Sequence, residues 1–417
     1  MANRIDNPDA TRHAARTFYV AFLFACFLFW WLPSFLFRIL GLNGAVANWT
    51  LWVSALAVVA FTAGYLLPPF RMRTEIPQVI VDQCEVLSWK ATLWITLPAA
   101  ALAVRFFLYR GSVAYGEGEG LSFLDQAVFY LHMFVAFLYL GCAKSGLANR
   151  RRIIAAAALV ILPRLIVSLH WGRFFLGQAI VPILFLALAR GWIRMTLQRW
   201  AVFAGLSLVI LFVPALTRGD QVFGQDDVVR FFASGGSLKL FQDNRNLDLS
   251  GYCPPLLISM TADVVPYGAM GVCTIDIWGR KDLPATLERI LSYNDPSTEG
   301  TLKGTGANYL LELYLSGGMA VLLLGSVFFG YTNRCFIDWV GRRSLFAGVW
   351  AECLSRSLFA PRNTLGYVYQ RIPSLILVTL LVAMTIYVAG RPWRAPGTAP
   401  PEREGGIQNG ELTPSER

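Results

Sequence analysis

The chain has 417 residues, of which 55% are hydrophobic and only 15% charged, with a mean hydropathy of +0.50. That balance excludes a water-soluble globule and describes a polytopic membrane protein. The net charge of +10 is then an orientation signal, and no nucleic-acid surface is expected from it.

A hydrocarbon core of about 30 Å takes about 20 apolar residues per helix, and backbone groups in lipid must be paired within the segment. Ten apolar runs are therefore read as transmembrane helices. They cover Thr17 to Leu40, Ala47 to Leu67, Ala91 to Tyr109, Leu124 to Ala143, Ile153 to Leu169, Phe174 to Ala189, Trp200 to Thr217, Ala307 to Tyr331, Leu345 to Ala360 and Ile372 to Ala389. The first run is too long for a signal-peptide core and no small-residue cleavage site follows it, so it is read as a retained helix. The domain plan is seven helices in 1–217, one large loop over 218–306, three helices in 307–391 and a Pro, Gly and Glu rich disordered tail over 392–417.

Lys and Arg near helix ends are retained in the cytoplasm. Arg4, Arg12 and Arg16, then Arg71, Arg73 and Lys90, then Lys144 and Arg150 to Arg152, then Arg190, Arg194 and Arg199, then Arg334, Arg342 and Arg343 recur at every second connection. The large loop is thereby expected outside. Arg105 and Arg110 dissent mildly.

Taken along the chain, the first chemistry-bearing residues are Arg164, in the fifth helix, and the turn His170-Trp171-Gly172-Arg173 before the sixth. An arginine fork at the outer interface suits a phosphate through bidentate bonds; the same residues would also snorkel to lipid phosphates. The large loop mixes acidic and basic residues with apolar patches such as Tyr252 to Ile258, which points to short helices roofing a cavity. It holds Cys253 and Cys273, either bonded to each other or free; the other five cysteines read as small buried hydrophobes. Asp243, Arg245, Asp263 and Asp276 also lie in it.

The eighth helix opens Asn308-Tyr309-Leu310-Leu311-Glu312-Leu313-Tyr314-Leu315-Ser316-Gly317-Gly318. A carboxylate in a transmembrane helix is costly, so Glu312 is read as functional or as paired, with Arg173 or Arg362 as partner. Glu352 and Arg356 stand at i and i+4 in the order that pairs well on a helix, a structural pair. Arg362 and Arg371 follow on the outer side. No phosphate-cradling Gly-rich loop, HExxH or GxSxG motif is present, nor the chain of intramembrane acids expected of an ion-coupled transporter.

The ten-helix layout, the Arg173-Phe174-Phe175-Leu176-Gly177 turn, the single large outer loop and the Asn308 to Gly318 motif resemble the O-antigen and oligosaccharide repeat-unit polymerases of the Wzy type. That family's Ser-Arg-Gly-like turn reads Gly172-Arg173-Phe174 here. The resemblance implies an all-α, GT-C-like integral membrane enzyme and an inverting, metal-independent glycosyl transfer that needs no cofactor. Its substrate would be an oligosaccharide on undecaprenyl pyrophosphate, and its partners membrane lipids and a chain-length regulator protein. On that basis Arg173, Glu312, Asp263 and Asp276 are catalytic candidates, the carboxylates as bases with Asp243 beside them. Arg164, His170, Arg362, Arg371, Arg245 and Tyr314 are substrate-binding candidates, with Arg164, Arg173 and Arg362 stabilising the pyrophosphate leaving group. Trp171, Tyr252, Tyr267 and Trp278 are candidates for stacking on sugars. An O-antigen ligase shares the layout but tends to carry a histidine in the outer loop, and 218–306 has none. A flippase would have more helices and no large folded loop, and an integral membrane acyltransferase is expected to carry a histidine and an arginine near its first helices; here His13 lies in the N-terminal segment.

Overall fold

The computed structural model describes residues 7–39, 46–70, 77–110, 123–144, 147–168, 173–196, 198–199, 237–249, 252–261, 265, 267–277, 280–294 and 308–389. Among the described residues, five stretches are long and apolar enough to cross a membrane: Pro8–Leu36, Asn48–Leu66, Gln78–Leu108, Tyr309–Val340 and Leu365–Val388. The expected helix over Trp200 to Thr217 lies outside the described residues.

Helix α1 (Pro8–Cys26) starts nine residues before the expected run because Asn7 caps it, its side-chain oxygen accepting from the Ala10 N–H at 3.0 Å, with Pro8 preset for the first turn. It passes through a π-helical turn (Phe27–Trp31) into α2 (Leu32–Ile39). Pro33 has no N–H to return to the Phe29 carbonyl four residues back, which leaves that oxygen free for a distant donor. Helix α3 (Asn48–Leu66) matches its expectation. Helix α4 (Gln78–Arg110) begins 13 residues before its expected start, since its charged first turns find partners. Asp82 and Glu85 each meet Arg343 at 2.6 Å, and Lys144 meets Asp82 at 3.0 Å. Helices α5 (Phe123–Cys142), α6 (Leu147–Ser168) and α7 (Arg173–Ala189) follow as an antiparallel series.

One end of the bundle gathers the basic residues and can be called the basic side. There Arg190, buried after α7, donates from Nη2 to the carbonyls of Gly141 (2.6 Å) and Arg342 (2.7 Å) and from Nε to Val340 (3.2 Å). A cation on the carbonyls that end two helices satisfies orphan acceptors and opposes both dipoles. The opposite end is the loop side.

Within 237–294 the chain forms α8 (Ser237–Asn244), α9 (Pro255–Thr261), α10 (Tyr267–Met270), a hairpin of β1 (Thr274–Ile277) and β2 (Arg280–Pro284), and α11 (Leu287–Asn294). The hairpin pairs Thr274 with Pro284 and Ile275 with Leu283; it is an addition to the short helices expected. Cys253 and Cys273 are bonded, their Cα atoms 5.5 Å apart, beside a small core of Ile258, Tyr267, Ile275, Ala285 and Ile290. The loop does not merely roof the bundle: Leu238 and Phe241 of α8 are fully buried in the main core.

The eighth segment departs most from expectation. Helix α12 (Tyr309–Val340) is broken at Gly317 and Gly318, where Gly318 takes φ 65° and ψ −154°, a conformation open to glycine. The two arms, 309–316 and 319–340, fold back on each other. The rings of Tyr309 and Phe329 lie 5.4 Å apart, and Leu313 packs so closely on Gly325 that an added Cβ would sit 2.5 Å from Leu313 Cδ2. In a straight helix Tyr309 and Phe329 would be about 30 Å apart. The first arm is therefore a half-helix that starts inside the bundle and climbs outward, and only the second is long enough to cross.

The ninth segment is also corrected. Helix α13 (Ala347–Ser357) has 11 residues, about 16 Å, half of what a crossing needs. It is continued by a turn at 358–364 and by α14 (Leu365–Tyr369), after which α15 (Ile372–Ala389) matches its expected bounds. Ala383 of α15 packs with Cys84, Cys142 and Leu345, so the chain returns to the basic side.

Candidate functional site

The turn at 358–364 is where the structure concentrates its polar effort. Irregular backbone at this depth must be satisfied by protein, and contacts reach it from three separate parts of the chain. Trp30 Nε1 of the π-turn donates to Pro361 O at 2.7 Å, and Ser237 Oγ at the start of α8 lies 2.8 Å from the same oxygen and 3.2 Å from the Phe29 carbonyl that Pro33 frees. Asn308 Nδ2 donates to Ser237 O, while Asn308 Oδ1 caps the first arm of α12 through Leu311 N–H at 2.8 Å. Tyr309 N donates to Ala360 O at 3.5 Å.

On the far side of the turn, Glu312 places Oε2 2.6 Å from the Leu365 N–H, the first donor of α14. It is 0% exposed. A carboxylate there satisfies an orphan N–H and faces the positive end of the helix, so this candidate base serves as a buried cap.

Below the turn lies a charged cluster. The Glu352 and Arg356 pair of α13 forms as expected, with Oε1 2.9 Å from Nη2 and 3.0 Å from Nε, and side chains at most 3% exposed. Arg356 also donates from Nη1 to Tyr367 O at 3.3 Å, and its guanidinium lies 4.8 Å from the centre of the Tyr367 ring. Arg164 does not snorkel outward: it is 0% exposed and donates to the Phe129 carbonyl of α5 at 2.8 Å, within the attraction of Glu352. His132, beside it, shares a 2.9 Å hydrogen bond with Thr96. Arg164, Glu352 and Arg356 are thus buried together. Arg164 is four residues from the loop-side end of α6, about 6 Å, so the charge lies in the loop-side half.

The clamped turn presents Arg362, half-buried, whose guanidinium is held below its usual pKa by burial. Arg371, exposed, follows α14. Arg245 and Tyr314 meet at another place, through a residue not anticipated. The Arg245 guanidinium lies 4.7 Å from the centre of the Trp49 ring, and Tyr314 packs edge-on to Trp49 at 6.1 Å and to Phe241 at 5.4 Å. Asp276 is exposed on β1, and Asp243 is paired with Lys239 at 2.7 Å. Tyr267 faces the loop's own core and hydrogen-bonds Thr261 at 2.6 Å. His170, Asp263, Trp171, Trp278 and the side chain of Arg173 lie outside the described residues.

Trp49, Tyr367, His132 and Ser237 were missed. Only His132 carried a signal, as a histidine inside an apolar run; the rest act through contacts between distant segments. No protein-family model, no characterised protein and no solved structure matches this chain.

Proposed function

We propose that the protein is a membrane glycosyltransferase that joins oligosaccharide repeat units carried on undecaprenyl pyrophosphate, at the periplasmic face, into surface polysaccharide. The observation that carries this reading is the turn at 358–364: a clamp held from several sides that presents Arg362 above the buried Arg164, Glu352 and Arg356, next to a disulfide-bonded loop. Preorganised cations suit a reaction whose negative charge develops on a leaving group.

In the proposed step a hydroxyl of the acceptor repeat unit attacks the anomeric carbon of the donor sugar with inversion. The bond between that carbon and the pyrophosphate oxygen breaks, its electron pair stays on the pyrophosphate, and the hydroxyl proton passes to a carboxylate or to water. Arg362, with Arg371 and Arg173, is assigned to the pyrophosphate. Arg164, Glu352 and Arg356 are positioning residues that hold the turn from beneath. Asp276 and Asp263 stand as candidate bases, and Glu312 is assigned to the fold.

Deletion in the native host followed by a gel of surface glycan tests the reading. Loss of a polymerase leaves one repeat unit on the lipid core and loss of a ligase leaves none; an unchanged ladder refutes glycan assembly altogether. Arg362→Ala should shorten the ladder with membrane expression intact, and Arg362→Lys should restore it poorly because it lacks the bidentate fork.

A further inference from the structure

A cavity of about 660 Å³ opens on the basic side between α6 and α7. Its walls are aliphatic, among them Ile154 and Ile161 from α6 and Ile180 and Leu184 from α7, and one end is polar, closed by Arg150 and Trp192. The floor is built by the way α7 ends. Trp192 N–H returns to Ala187 O at 2.8 Å and Gly191 N–H to Leu188 O at 3.0 Å, with Gly191 at φ 72°, the Schellman arrangement that reverses the chain at a left-handed glycine. That reversal brings Trp192 and Ile193 back beneath the trench, and Arg194 follows, exposed.

Two features distinguish this trench from ordinary lipid-facing surface. It is concave, bounded by two helices and a floor, whereas a hollow of about 810 Å³ elsewhere is lined by α4 residues alone. Its polar end also carries an excess of one sign: Arg150 at the rim, Arg151 and Arg152 beside it on α6, and Arg194 opposite are all exposed. Arg190, which also borders it, is engaged with backbone carbonyls. An apolar slot running from an arginine-rich rim toward the membrane interior matches one acyl chain and a negatively charged headgroup.

We infer that this trench binds an anionic phospholipid of the basic-side leaflet, an acyl chain between α6 and α7 and the phosphate at Arg150. The site is on the side opposite the clamped turn, and it stands independently of the glycosyl-transfer reading.

The free cysteines Cys26, Cys84, Cys142, Cys335 and Cys353 are all buried, so a thiol placed in the trench can be read by labelling. The full-length Ala157→Cys variant, with its new thiol on the α6 wall, is reconstituted in phosphatidylcholine vesicles with or without phosphatidylglycerol and exposed to a lipid-soluble maleimide. Phosphatidylglycerol should slow labelling at least about fivefold, on the scale of a basic residue beside an anionic lipid. Arg150→Gln in the same background should remove most of that protection. Native mass spectrometry of the otherwise unaltered protein should retain phosphatidylglycerol in preference to phosphatidylcholine of equal chain length. Equal protection by both lipids, no labelling in either because protein fills the trench, or a preference unchanged by Arg150→Gln overturns the inference.

Discussion

Helices α3 and α12 approach at Gly330, where an ideal Cβ would lie 2.0 Å from the Phe61 carbonyl oxygen and 2.9 Å from the Tyr65 nitrogen. Both are backbone atoms, so no side-chain rotation can make room. Ordinary contact begins near 3.4 Å, so Gly330→Ala must separate the two helices by about 1.4 Å, the difference of 3.4 and 2.0. The separation loosens a stack that includes Phe22 on Phe61 at 4.0 Å and Phe61 on Phe329 at 5.5 Å. Overpacking of this kind costs up to about 3 kcal/mol, and the better helix propensity of alanine returns about 1 kcal/mol. The net destabilisation is about 2 kcal/mol, roughly 30-fold in the folding equilibrium. Titration of the detergent-solubilised protein with sodium dodecyl sulfate, followed by fluorescence of its 13 tryptophans, measures it. Gly177→Ala in α7 is the control: nothing lies within 4 Å of its added Cβ, and the variant should be slightly more stable. If Gly330→Ala unfolds at the wild-type detergent fraction, the close crossing of α3 and α12 is wrong.

Three further outcomes follow from particular contacts. Arg356→Met leaves Glu352 buried without its cationic partner and should cost about 3–5 kcal/mol, while the Glu352→Gln, Arg356→Met double variant should recover much of it; equal losses in both would show that the pair is not a coupled unit. A short bifunctional thiol reagent should join Leu313→Cys to Gly325→Cys within one chain, because the arms of α12 fold back, whereas a straight helix would hold these residues about 18 Å apart. Cys253→Ser with Cys273→Ser should speed proteolysis of the loop, since a bond closing about 20 residues stabilises by about 3 kcal/mol; an unchanged digestion rate would mean that the loop's small core holds it without the bond.

How much was legible differs from element to element. Helices α3, α5, α7 and α15 were read to within a residue or so at each end because an apolar run bounded by polar or Gly residues in lipid leaves the backbone no choice but helix. Helix α4 was read too short, because hydropathy discards Asp82 and Glu85 and cannot foresee that Arg343, more than 250 residues away, neutralises them. The i and i+4 spacing of Glu352 and Arg356 announced their pair, a local property of any helix. Arg164 and Glu312 were recognised as unusual, but one partner of each, the Phe129 carbonyl and the Leu365 N–H, is a backbone atom that every sequence possesses and none advertises.

Composition and hydropathy determined by themselves that this chain is a helical membrane protein, because the cost of bare peptide groups in hydrocarbon is set by residue type and run length. Tertiary structure alone decided that α12 doubles back at Gly317 and Gly318 and that α13 stops after 11 residues. The reason is that a break in a membrane helix is stable only when other segments supply hydrogen bonds to the freed backbone. Here the donors and acceptors come from Trp30, Ser237, Asn308 and Glu312, residues scattered over 283 positions and brought together at the turn that carries Arg362.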